Sequence, residues 1–206
     1  MLAEPHMLGF DPSMIPIRAA DGSVQYDITV HTAQNDRQVF RTVRLLFDGG
    51  SRAIFSRGTR VWEALRLDGL GNTVGEPVVL KDCWVDGFRE REGDISARIR
   101  QSAVSLDDDD RTTLGEMLLT VVAHGDVQVA GASDRALRVP CEEPSDVVEE
   151  YDRFTGAGQG AEREEGRVHY RIVYAEVGKP LCDETSLFAI YKALVETCAG
   201  TYITLL

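Results

Sequence analysis

The sequence predicts an α+β domain, a twisted antiparallel sheet of about five strands with a helix packed on one face. Three observations predict it. Short stretches alternate apolar and polar residues and are separated by Gly, Asn or Asp, the pattern of antiparallel strands and their turns. At Arg89 the period lengthens to that of a helix. Hydrophobic residues make up 43% of the 206-residue chain and charged residues 27%, enough apolar material for a packed core.

Residues 1–22, punctuated by Pro5, Pro12 and Pro16, read as an irregular lead-in. Tyr26 to His31 alternates as a strand, Asn35 and Asp36 supply a turn, and Val39 to Phe47 is a second strand, so residues 1–50 form an extension built around a hairpin. Asp48, Gly49 and Gly50 break the chain. Arg52 to Phe55 and Thr59 to Leu67 then flank Ser56-Arg57-Gly58 as strand, tight Gly turn, strand. Asp68 to Gly75 is a loop, and Pro77 to Val85, rich in Val and Trp, is a strand.

Beyond Arg89, Ile95, Ile99 and Leu106 share one helical face, with Arg100 opposite and Arg98 on the flank. Asp107 to Asp110 interrupts, and its acids suit the start of a second helix carrying Leu114, Met117, Leu118, Val121 and Val122. Val127 to Ala130 reads as a short strand. Residues 140–166, acidic and Gly-bearing, read as a mobile insertion. Val168 to Val177 is a strong strand stopped by Gly178, Lys179 and Pro180. Ser186 caps a last helix with Leu187, Ile190, Tyr191, Leu194 and Val195. Thr201 to Leu206 is apolar to the last residue, which reads as a truncated domain. Leu187, Ile190, Leu194 and that tail are expected to form an exposed apolar face on which a protein partner docks.

The net charge is -12, with 34 acids against 22 bases, a field that repels phosphate backbones and argues against a nucleic-acid partner. Apolar runs such as Met117 to Ala123 are far short of a membrane span, and the N-terminus lacks the pattern of a signal peptide. Cys83, Cys141, Cys182 and Cys198 have neither the C-x-x-C spacing nor a histidine at zinc-ligand spacing. They read as reduced thiols of an intracellular protein, cytoplasmic or nuclear, without a metal site.

Three features carry chemistry. The Gly58 turn between strands lets backbone N–H groups approach a phosphate, although such a glycine equally serves hairpin geometry. Lys81 ends the apolar run Val78-Val79-Leu80, where a buried ammonium needs an anionic partner unless it snorkels from the strand edge. Glu90 and Glu92 open the following helix, where either could pair with Lys81 or complement the helix dipole.

In this order the features resemble the nucleotide-binding lobe of a protein kinase. Four blocks are similar to the fungal-type protein kinase family: Arg57 to Ala64, Val79 to Trp84, Arg91 to Ile95 and Glu176 to Leu181, with Gly9 to Pro12 similar to its lead-in. The resemblance implies ATP as the ligand and Ser or Thr phosphorylation in proteins as the inherited activity. Gly58 would then lie over the phosphates, and Val61 and Val79 would cover the adenine. Lys81 would contact the α- and β-phosphates, oriented by Glu92, with Glu90 as the fallback. Tyr174 to Val177 would be the hinge, with Glu176 and Val177 among the adenine contacts. Residues 51–181 would be this lobe and residues 182–206 the start of a truncated second lobe.

The sequence departs from the pattern in places. Ser56 stands where a first glycine is expected, and the third glycine of G-x-G-x-x-G-x-V is absent. There is no H-R-D and no D-F-G, and His124-Gly125-Asp126 falls before the hinge strand. The base and the magnesium ligands of phosphoryl transfer are therefore missing, and the chain alone is expected to be inactive. A non-catalytic, pseudokinase-like binding module is the alternative.

Overall fold

The structure, a computed structural model, describes residues 10–32, 36–49, 57–136, 166–179 and 183–204, with the backbone alone for 196–204. Five strands come first: β1 (Met14–Arg18), β2 (Val24–His31), β3 (Arg37–Asp48), β4 (Arg60–Leu67) and β5 (Thr73–Asp86). Helix α1 (Glu92–Ser102) runs through a 3-10 turn into α2 (Asp108–Met117). Then follow β6 (Val121–Asp126), β7 (Gln128–Val129), β8 (Ala132–Ser133), β9 (Arg135–Ala136), β10 (Arg167–Tyr174) and helix α3 (Leu187–Thr204).

Among the described residues the expected antiparallel sheet is present, with eight strands where about five were expected. Its order is β1-β2-β3-β4-β5-β10-β6, with β9 beside β10; β7 and β8 form a separate pair. The hairpin of β2 and β3 continues into the same sheet through β4. The β4–β5 turn is tightened by Asp68, whose Oδ1 accepts from the N–H groups of Leu70 and Asn72 at 2.8 and 2.9 Å.

Several local expectations are corrected. Part of the lead-in is a strand: β1 pairs with β2, and Pro16 is accommodated because β1 lies at the sheet edge, where a missing N–H costs no ladder bond. Strand β5 already begins at Thr73, which shortens the preceding loop. Val121 and Val122 belong to β6, not to the second helix, because Leu118 turns extended and Val121 then pairs with Tyr174. Cross-strand pairing overrides the helical spacing there. Strand β10 stops at Tyr174, before Val177. Asp107 caps α2, its side chain accepting from the Asp110 N–H at 2.9 Å, and Ser186 Oγ accepts from the Ala189 N–H at 3.3 Å at the start of α3. The strand expected over Arg52 to Phe55, Ser56, Gly9, most of the 140–166 insertion, Cys141, Cys182 and the side chains of the last helix beyond Val195 lie outside the described residues.

The sheet curls on itself. Strands β2 and β6 are separated by four others in the sheet order yet touch, so closely that a Cβ on Gly125 would stand 1.9 Å from the His31 carbonyl oxygen. Inside the roll, Ile28, Val30, Phe40, Trp62, Ala64, Val78, Leu80, Ala123 and Val173 pack as one core. Alternation then sends Val61, Val79, Lys81, Cys83, Tyr170, Ile172 and Tyr174 to the opposite face. There Cys83, Tyr170 and Ile172 form a second cluster with Val85, Val121 and Tyr174. Helix α1 packs at its margin against β6, and α3 packs against α2. Among the described residues, no helix is long and apolar enough to cross a membrane.

Candidate functional site

Strand register assembles the outer face. Lys81 lies opposite Val61 on one side and Ile172 on the other. Val79, on the same face, lies between Glu63 and Tyr174. An irregularity in β3 between Leu45 and Phe47 brings Phe47 opposite Val61, adding an exposed aromatic ring to the row that ends in Lys81. An earlier irregularity between Thr42 and Arg44 offsets this one, so Phe47 keeps the outward face that plain alternation from buried Phe40 gives it.

Lys81 Nζ donates to both carboxylate oxygens of Glu92, at 2.6 and 2.8 Å. Glu90 instead pairs with Arg98 at 2.7 Å, which decides between the two acids. The Lys81 side chain is 26% exposed and that of Glu92 45%, so the pair is open to a ligand from the solvent side. The Tyr174 hydroxyl donates to Glu92 Oε2 at 3.1 Å.

The residues around Glu92 are fixed one by one. Arg91 forms a two-bond pair with Asp126 of β6, at 2.7 and 3.2 Å. It occupies the N-cap position of α1 without offering a side-chain cap, leaving the first helical N–H groups in need of partners. The Tyr170 hydroxyl accepts from the Gly93 N–H at 3.0 Å and supplies one. Gly93 lies flat against the His124 ring, where a Cβ would stand 2.2 Å from ring carbons. Burial pushes both phenols, Tyr170 and Tyr174, above the ordinary tyrosine range, and the charge of Glu92 adds to the shift of each. Burial likewise pushes the Cys83 thiol up to about 11, so this cysteine is a packed thiol and not a nucleophile.

Gly58 has φ +52, a left-handed conformation that favours glycine. Its segment runs beside β5, the Trp84 N–H donating to the Arg57 carbonyl at 2.8 Å. The β3–β4 hairpin closes just before it, where the Gly49 N–H donates to the Thr59 carbonyl at 2.8 Å. Glu176 and Val177 are exposed beyond the end of β10. The Ala175 N–H donates to the Thr120 carbonyl at 2.9 Å, and the Glu176 carboxylate accepts from the Thr120 N–H at 2.8 Å, tying this segment to the start of β6. Lys81, Glu92, Val61 and Val79 are thus brought together, with Gly58 further along β5 and Glu176 and Val177 past its other flank.

Sequence reasoning missed a charged cluster inside the roll. Asp82 Oδ1 faces His169 Nε2 at 2.7 Å and accepts from Arg171 Nε at 2.8 Å, while Oδ2 accepts from Arg60 at 2.8 Å. Arg171 also donates to Ser13 Oγ and the Thr29 carbonyl, both at 2.7 Å, and pairs with Asp11. His169 Nδ1 faces Asp134 Oδ2 at 3.0 Å, and the ring stacks on Trp84 at 4.7 Å. The signal was available: in β10, His169 and Arg171 share the face of Val173, so two polar side chains had to enter the core together.

Two cavities, of about 400 and 520 Å³, lie on the far side of the α1 start, lined among others by His31, Arg91, Asp94 and His124 in the first and by Ser96, Ala97 and Val121 in the second. Neither includes Lys81, Val61 or Val79. Among the described residues, no group of three or more His, Cys, Asp or Glu side chains is placed to hold a metal ion. A family model described as fungal protein kinase matches residues 1–205. Neither a curated protein nor a solved structure matches the chain.

Proposed function

The chain belongs to the fungal protein kinase family, and from that membership we propose that its sheet and α1 form a nucleotide-binding lobe that takes ATP. The observation carrying this reading is the Lys81–Glu92 pair at 2.6 and 2.8 Å on an open face flanked by Val61 and Val79. An ammonium that gives two of its N–H groups to one carboxylate has a third to donate to a phosphate oxygen. In this role Lys81 meets the α- and β-phosphates and Glu92 orients it. Val61 and Val79 cover the adenine. Gly58 crosses the phosphates, and the backbone at Glu176 and Val177 meets the adenine edge.

The reaction class of the lobe is ATP-dependent phosphorylation of Ser or Thr in proteins. These 206 residues contain neither H-R-D nor D-F-G, the motifs that would supply the base and the magnesium ligands. The chain by itself therefore binds nucleotide without transferring phosphate. Calorimetry with ATP, with and without magnesium, tests the reading. Saturable binding to the full chain that is lost in Lys81→Ala supports it, and an absence of heat in both conditions overturns it.

A second reading, a non-catalytic pseudokinase-like module that docks a protein partner, is favoured by α3. Leu187, Phe188, Tyr191, Leu194 and Val195 are all exposed on it, Leu187 to 83%. Concentration-dependent association seen by light scattering, unaffected by ATP and abolished by Phe188→Glu, would support this reading over the first.

A further inference from the structure

Glu92 is useful only if its carboxylate faces Lys81, and a glutamate on the first turn of a helix has many rotamers in which it does not. Three side chains outside α1 restrict it. The Tyr170 hydroxyl holds the Gly93 N–H at 3.0 Å, Arg91 is locked to Asp126 at 2.7 Å, and the Tyr174 hydroxyl reaches Glu92 Oε2 at 3.1 Å. Tyr170 and Tyr174 lie on the same face of β10, one anchoring the backbone of the helix start and the other the carboxylate.

We infer that Tyr174 is a positioning residue, whose hydroxyl holds the Glu92 carboxylate toward Lys81, so that the ammonium–carboxylate pair is assembled by β5, β6, β10 and the start of α1. The inference rests on the reading of Lys81 as the phosphate contact. It deepens that reading by making the pair a standing feature of the lobe, present before any nucleotide arrives. The geometry supports a donor role for the phenol: a half-buried hydroxyl beside a carboxylate keeps its proton and donates a hydrogen bond to the stronger acceptor. Lys81 Nζ and the Tyr174 hydroxyl both reach Oε2, at 2.8 and 3.1 Å, so the tyrosine sets the plane in which the bidentate contact to Lys81 forms.

The test uses the full chain and the variants Tyr174→Phe, Glu92→Gln and their combination. Phenylalanine keeps the ring and its packing and removes only the hydroxyl. Magnesium-ATP affinity should fall about five- to tenfold in Tyr174→Phe, the size of one ordinary hydrogen bond. It should fall no further when Tyr174→Phe is added to Glu92→Gln, because the hydroxyl acts through that carboxylate. Wild-type affinity in Tyr174→Phe, or the same loss in both backgrounds, would reduce Tyr174 to a packing residue and overturn the inference.

A second measurement is independent of nucleotide. With tyrosine labelled at the ring carbon bearing oxygen, NMR follows each phenol with pH. The Tyr174 phenol should ionise at a lower pH in Glu92→Gln than in the wild type, since its acceptor has lost its charge. If the wild type binds no nucleotide, the phosphate reading falls and this titration alone decides Tyr174; an unmoved titration overturns its contact with Glu92.

Discussion

Lys81 and Glu92 meet across the gap between β5 and α1, with Lys81 Nζ at 2.6 and 2.8 Å from the two carboxylate oxygens, while Glu90 turns away to Arg98. Both residues flanking Lys81, Leu80 and Asp82, are buried inside the roll, so the strand itself aims the ammonium outward. The two glutamates should therefore separate cleanly. Glu92→Gln should weaken magnesium-ATP binding about tenfold, whereas Glu90→Gln should leave it unchanged. Since exposed pairs contribute only about 0–1 kcal/mol, the thermal midpoints of both variants should stay near that of the wild type. Equal effects of the two substitutions on affinity would contradict the assignment.

Gly93 offers a sign reversal. In an exposed helix interior, Gly→Ala stabilises by up to about 1 kcal/mol. Here the added Cβ would stand 2.2 Å from the His124 ring, which β6 presents against the start of α1. Gly93→Ala should instead destabilise by about 1–3 kcal/mol, as overpacking does. It should also move Glu92 away from Lys81 and weaken nucleotide binding. Denaturant unfolding of the two proteins measures the first effect, and a stabilised Gly93→Ala variant would contradict it.

Asp82 makes acid the vulnerable side of the pH range. Burial alone would raise its carboxyl, but the His169 hydrogen bond and the charges of Arg171, His169 and Arg60 outweigh that and hold it far below the usual carboxylate range. Asp11 is lowered as well, burial again opposing and the Arg171 charge and Ser13 hydrogen bonds prevailing. A carboxyl depressed in the fold contributes stability that is complete above its unfolded value, about pH 4, and is lost as pH falls from there toward the folded value. Unfolding free energy should therefore drop steeply below about pH 4. Asp82→Asn should cost about 3–5 kcal/mol at neutral pH, because it removes a counter-charge from buried Arg171. If Asp82→Asn does not fold, the milder Asp11→Asn should still show a shallower acid limb, and an unchanged limb would contradict the account.

The path from sequence to site was legible where alternation is regular and obscure where tertiary contacts reset it. In β5, Val79 and Lys81 fall on one face by simple period, and the pair with Glu92 follows once the start of α1 is set at the margin of that face. The choice between Glu90 and Glu92 was not legible, because it depends on how Arg91 and Gly93 are anchored to Asp126 and Tyr170, contacts from strands far along the chain. Val121 and Val122 suited a helix by spacing and became strand because β10 offered a partner edge. Phe47 was legible by period, because the two irregularities of β3 cancel and leave it on the face opposite Phe40. The inward Asp82, His169 and Arg171 were readable from the same alternation that revealed Lys81, had the polar residues of β10 been placed on the face opposite Ile172.

The chain has three lysines, Lys81, Lys179 and Lys192, so the side-chain nitrogen spectrum of lysine-labelled protein is simple enough to read residue by residue. Titrating magnesium-ATP while watching the three Nζ signals tests the central claim most directly. The Lys81 signal should move saturably, Lys179 and Lys192 should stay in place, and Glu92→Gln should shift the free position of Lys81 and weaken the titration. A Lys81 signal that stays fixed while nucleotide binds, or moves no more than the other two, would contradict it.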